Sequence, residues 1–213
     1  MKKIGIIHSP YKEKFSIPRQ PGLTTVESMI ELISPYNRSE ALAGLENFSH
    51  LWVIFEFHET ASTDEKSLSV RPPRLGGNTR QGVFATRSPF RPNNTGLSLV
   101  EIKNISGTTI TVSGGDFLDQ TPVYDLKPYL KEIESIPHAK SGWTDEIETK
   151  RLEVIFECEC EEFLKEKISE ILSLDSRPAF HEDGKKMYGS RLFDVDVHWA
   201  VKDSIVYVKS ILK

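Results

Sequence analysis

No apolar run in this 213-residue chain approaches the roughly 20 residues that a membrane-spanning helix needs. The opening MKKIGIIHSPYKEKF has two lysines but only a four-residue apolar patch, too short for the core of a secretory signal. No membrane association is expected, and a cytoplasmic location is. Cysteine is scarce too. Cys158 and Cys160, in LEVIFECECEEF, lie two apart, so on a strand they share a face. They are too close along an extended strand to bridge, and no histidine pair completes a zinc pattern. Small buried hydrophobes are the expectation for both.

Phosphate-binding glycine patterns are also missing. There is no P-loop and no G-x-G-x-x-G after a strand, and Gly76-Gly77 and Gly114-Gly115 fit neither. The sequence thus offers no Rossmann-type nucleotide site. The six histidines form neither a Ser-His-Asp nor a zinc spacing, so no metal is expected.

The most informative absence is one of charge. From Lys66 to Val100 there is no Asp or Glu, where composition alone leads one to expect about five. The same window holds Arg71, Arg74, Arg80, Arg87 and Arg91. Formal net charge is -4, and the opposing acidic excess lies between Asp145 and Asp175, so net charge is a poor guide to partners. The planar fork of arginine suits phosphate and carboxylate. Proline and glycine in RPPRLGGN and RPNNTG fix the loops that present it. A single arginine needs no more than water or a distant carboxylate; five in one such window point to an anionic partner.

What is present reads mainly as strand: KKIGIIH, HLWVIFEFH, GVFATR, LSLVEIKNI and TTITVSG alternate or form short apolar runs between turn signals. The one helix-like piece of the first half is SEALAGLENF, with Ser39 as its cap. This spacing suggests an antiparallel barrel or curled sheet, whose interior His50 and Trp52 would help to pack. After VYDLKPYL, KEIESIPHAKSGWTDEIETK has no clear periodicity and reads as a linker or extended arm. A strand, RLEVIFEC, follows. In EEFLKEKISEILSL, residues Phe163, Leu164, Ile168, Ile171 and Leu172 fall at helical spacing. Two last strands join at Lys202-Asp203-Ser204. The expected division is 1–140 for the β-rich domain and 141–213 for a small α+β domain.

Four blocks, IGIIHSPYKEKFSIPRQPG, FSHLWVIFEFH, VRPPRLGGNTRQGVFATRSPFRPNNTGLSLVE and TPVYDLKPYL, resemble in content and order the hallmark blocks of the TrmO family, also called TsaA-like or YaeB-like. DSRPAF and MYGSRLFDVDVHW resemble the small second domain of its bacterial members. The resemblance implies an antiparallel β-barrel, a homodimer, and an S-adenosylmethionine-dependent methyltransferase acting on tRNA. The atom methylated would be N6 of the adenosine at position 37 in threonine tRNA, already carrying a threonylcarbamoyl group.

Matched by position, the resemblance places the cofactor on Gln20, Pro21 and Gly22, on His58 and Glu59, on Arg87, Leu97 and Ser98, and on Val123, Tyr124, Asp125 and Leu126. Of these, Arg87 suits a carboxylate and Asp125 a ribose or amine donor. Arg71, Arg74, Arg80, Arg91, Lys127 and Arg177 are assigned to tRNA. Two positions depart from the family's pattern: Gln120, where Asp-Gly-Thr-Pro is common, and Asn94, where Arg-Pro-Asn-Pro is common. HSPY, beside PRQPG, is expected to help shape the site.

Methyl transfer from a sulfonium is an in-line displacement, so alignment and exclusion of water dominate. The attacking nitrogen must also lose a proton. His58 and Asp125 are both candidates for the catalytic base, and the residues do not choose between them. A second reading is a non-catalytic tRNA- or cofactor-binding regulatory module using the same arginine face.

Overall fold

The computed structural model describes residues 1–60, 68–72, 79–145, 147, 150–177 and 186–213. In chain order its strands are β1 (Gly5–His8), β2 (Glu27–Leu32), β3 (His50–Glu56), β4 (Ser69–Val70), β5 (Gln81–Gly82), β6 (Thr95–Ser106), β7 (Thr109–Ser113), β8 (Thr121–Pro128), β9 (Glu153–Phe156), β10 (Met187–Leu192), β11 (Val195–Lys202) and β12 (Ile205–Leu212). Helices α1 (Lys131–Glu134) and α2 (Glu162–Leu172) lie between β8 and β10.

Six strands close an antiparallel barrel in the order β1-β2-β7-β6-β3-β8. Period-two alternation builds it: Leu51, Val53 and Phe55 of β3 are buried with Val100, Ile110, Val112 and Val123. Burying each such side chain stabilises by roughly 1.5–3 kcal/mol. On β6 the inward positions include Gly96 and Ser98. Phe55 sits directly across from Gly96, and a Cβ there would penetrate its ring. Phe55 in turn meets Phe117 edge-on at 5.0 Å.

The second core is built on the sheet β10-β11-β12-β9, in which β9 runs parallel to β12. Helix α2 lays Ile168, Ile171 and Leu172 against Val197, Trp199, Val206 and Val208. Asp203 and Ser204 both have positive φ, which gives the tight β11–β12 turn expected from the sequence. The N-terminal excursion between β1 and β2 joins this core through Tyr11 and Val26, with Phe15 stacked on Tyr188 and Trp199. Tyr11 bridges Leu192, Phe193 N–H donates to Pro10 C=O at 2.8 Å, and Thr25 N–H donates to the Glu170 carboxylate. The C-terminal unit thereby holds the outer side of a barrel loop.

Several local expectations are corrected. SEALAGLENF forms two short 3-10 turns, separated by Gly44 at φ +87°, and Ser39 supplies no cap. GVFATR is strand only at Gly82; Val83–Ala85 is a 3-10 turn. His50 and Trp52 lie on the outer face of β3, because the alternation buries Leu51 and Val53 instead. Trp52 Nε1 donates to Glu134 at 2.7 Å. Cys158 and Cys160 lie beyond β9 as free, half-buried thiols at the edge of the second core. Strands β2, β8 and β10 were not expected. Among its described residues, the segment expected as an arm holds α1 and one 3-10 turn, where Trp143 Nε1 donates to Ala85 C=O at 2.8 Å.

Candidate active site

Two glycine-bearing segments meet at one rim of the barrel. Gly22, at φ +77°, donates its N–H to Gly114 C=O at 2.8 Å. Gly114 has φ +81°, and a Cβ on it would lie 3.5 Å from the Gly22 backbone. A Cβ on Gly115 would overlap the Phe117 ring. This glycine pair, which fits no phosphate motif, is thus a packing device that draws Gln20–Gly22 onto the end of β7. Gly22 faces open space, with nothing within 4 Å of where its Cβ would stand.

Beside it, Arg87 Nη1 donates to Gln20 Oε1 at 2.9 Å, which joins the arginine-rich loop to the β1–β2 excursion. Asp116 is the residue that reading the sequence missed. Ser98 Oγ donates to its Oδ1 at 2.5 Å. Burial pushes the Asp116 carboxyl up to about 6, against the opposing effects of the Ser98 hydroxyl and the positive charge of Arg87. Ser98 is 1% exposed, so its side chain reaches the rim only through Asp116. The one signal available was an aspartate directly after Gly-Gly at a strand end.

The other expected cofactor residues divide by face. His58 and Glu59 lie just past β3, where the chain leaves the barrel. His58 Nδ1 is 3.5 Å from Thr121 Oγ1, whose hydroxyl donates to Leu118 C=O at 2.7 Å. Lys14 Nζ donates to Glu59 C=O and lies 3.8 Å from its carboxylate. Leu97, half-exposed, and Asp125 flank Ile54 on the outer face of β6, β3 and β8. Asp125 accepts from Leu126 N–H at 2.9 Å and pairs with Lys127 at 3.1 Å. Tyr124 donates to the Glu56 carboxylate, which, with burial, pushes the phenol up to about 12. Val123 points into the barrel core, and Leu126 packs partly against it.

The β8 entry carries the first departure from the family's pattern. Gln120 takes φ +63°, the left-handed backbone that a glycine adopts without strain. Asp119 before it accepts from Ser9 N–H at 2.8 Å and Lys12 Nζ at 2.9 Å. Burial alone would raise the Asp119 carboxyl, but these donors hold it below the usual range. HSPY therefore braces the β8 entry.

The family described as "tRNA-methyltransferase O N-terminal domain" matches residues 6–135, and "TrmO C-terminal domain" matches residues 143–213. The chain belongs to the TrmO family. It is 44% identical over 220 residues to the "tRNA (adenine(37)-N6)-methyltransferase" of Escherichia coli strain K12, a match that covers 95% of this chain and 93% of that relative. It is 41% identical over 211 residues to the "Putative S-adenosylmethionine-dependent methyltransferase RcsF" of Pseudomonas aeruginosa PAO1, covering 92% and 90%. A crystal structure of TrmO superimposes with a TM-score of 0.80 at 34% identity, covering 99% of this chain and 97% of that one. The β-barrel with an α+β C-terminal region is thus the TrmO fold.

In this TrmO-family chain the cationic residues assigned to tRNA differ in availability. Arg71 is exposed, as is Arg80, which donates to Ser69 Oγ at 2.8 Å; the two flank the β4–β5 ribbon from facing strands. Arg74 lies outside the described residues. Arg91 is half-buried and donates to Thr86 C=O at 3.0 Å, bracing its own loop. Lys127 is exposed and paired with Asp125. Arg177 is 10% exposed and grips Asp175 with Nε and Nη2 at 2.7 and 2.9 Å. Among the described residues no three His, Cys, Asp or Glu side chains cluster as a metal site, and no helix is long and apolar enough to cross a membrane.

Proposed function

We propose that this chain methylates N6 of the adenosine at position 37 of threonine tRNA, using S-adenosylmethionine, on a base that already carries threonylcarbamoyl. The observation that carries the reading is the near full-length likeness to the Escherichia coli enzyme, with both TrmO domains in order. The donor set fits the cofactor in kind. Arg87 suits a carboxylate, Gly22 leaves open space, half-exposed Leu97 offers an apolar surface and Asp125 can accept from a ribose or amine. Gln20, Pro21, His58, Glu59, Tyr124 and Leu126 complete the proposed cofactor wall, with Ser98 acting through Asp116 and the core-facing Val123 through its backbone.

When bound, the cofactor supplies an electrophilic methyl group on sulfur. The chain's work is to hold the two reactants in line and keep water out, which the rigid glycine-packed rim favours. Of the two candidate bases, Asp125 already has one oxygen on the Leu126 N–H and the other on Lys127. The second ring nitrogen of His58 has no partner among the described residues. His58 is the better base. Exposed Leu97 on the outer face of β6, with exposed Phe84, Phe90 and Ile133 outside the barrel strands, supports a homodimer. We place the domain boundary near residue 140 and the enzyme in the cytoplasm. The test is transfer of labelled methyl to tRNA prepared with and without threonylcarbamoylation. Activity on the modified tRNA alone is expected.

A further inference from the structure

We infer that Asp116 binds the ammonium group of the cofactor's amino-acid end, opposite Arg87, and that Ser98 is its positioning residue. The inference rests on the S-adenosylmethionine reading above. A zwitterionic amino acid needs one fixed cation and one fixed anion at the same rim. Arg87 supplies the cation and is itself oriented by Gln20 at 2.9 Å. Asp116 supplies the anion, oriented by Ser98 at 2.5 Å from inside the barrel wall.

Arg87 acts on Asp116 electrostatically, yet the two form no ion pair among the described residues. Each therefore keeps capacity for a ligand of opposite charge. Asp116 Oδ2 accepts no hydrogen bond from another residue among those described, and Asp116 remains only half-buried. Gly114 and Gly115 before it and the buried Phe117 after it fix the backbone against Gly22. A carboxylate partly removed from water without a counter-charge is disfavoured, and a ligand ammonium offsets that penalty.

Calorimetry with three probes tests this: S-adenosylmethionine, its decarboxylated form, which keeps the ammonium, and 5′-methylthioadenosine, which lacks both groups. Asp116→Asn should weaken the first two by roughly 10- to 100-fold and leave the third unchanged. Ser98→Ala should follow the same pattern with a smaller loss. Arg87→Ala should weaken only the first. Wild-type affinity of Asp116→Asn for S-adenosylmethionine, or an equal loss for all three probes, would overturn the assignment of Asp116. Failure of the wild-type chain to bind S-adenosylmethionine at all would overturn the cofactor reading itself.

Discussion

Arg87 and Gln20, separated by 67 positions in the chain, meet through a 2.9 Å hydrogen bond at the barrel rim. The contact ties the carboxylate-free loop to an excursion whose far side is held by the C-terminal sheet. Both the loop and the C-terminal unit therefore bear on the β1–β2 excursion. Arg87→Ala should lower affinity for S-adenosylmethionine about 10- to 100-fold, since a charge-assisted hydrogen bond contributes roughly 1.5–3 kcal/mol. Calorimetry that returns wild-type affinity would remove Arg87 from the site.

The exposed arginines should behave differently. If Arg71 and Arg80 meet tRNA phosphates, each Arg→Ala change should flatten the slope of log affinity against log salt by up to about one unit. Arg91→Ala should act instead through its loop, lowering cofactor and tRNA affinity together, because its guanidinium already holds Thr86 C=O. Filter binding across a salt series separates the two patterns. Unchanged slopes for both exposed variants would deny them a phosphate contact.

Asp116 gives a pH dependence of definite sign. Its carboxyl is raised in the folded chain to about 6. The associated stability is present below the unfolded-state value near 3.8 and is lost as pH rises through about 6. Asp116→Asn, which does not titrate, should therefore gain on the wild type between these values, by up to about 3 kcal/mol at neutral pH. Thermal melts at pH 4 and pH 7.5 check it. A gap that does not grow with pH would contradict the burial argument.

Homodimer formation is expected from the outer barrel face. Leu97→Asp, at a half-exposed apolar position on the outer face of β6, should shift light scattering toward monomer while the barrel melts as before. A wild-type chain that scatters as a monomer at micromolar concentration and remains active would refute this.

Strands with clean alternation, such as β3 and β6, were legible in the sequence because one face is apolar and one is not. Strand β8 was not, since Pro122 and Pro128 read as breaks while their missing N–H groups fall at the strand's ends. SEALAGLENF read as helix because Ala, Leu and Glu favour it; Gly44 in the left-handed region breaks it instead. In the site, family resemblance pointed to Ser98 and passed over Asp116. The link between them crosses from β6 to the segment after β7, and no local pattern reveals a 2.5 Å contact between separate segments. Availability of charge was equally hidden: Arg91 and Arg177 look like Arg71 in sequence, and only tertiary partners set them apart.

The most direct test is nucleoside mass spectrometry of threonine tRNA after incubation with the chain and S-adenosylmethionine. One added methyl on the threonylcarbamoyl nucleoside at position 37 is predicted, absent when guanosine replaces that adenosine and reduced about 100-fold or more by His58→Ala. Methylation that persists in the guanosine-37 tRNA, or no methylation of fully modified tRNA by folded protein, would contradict the account.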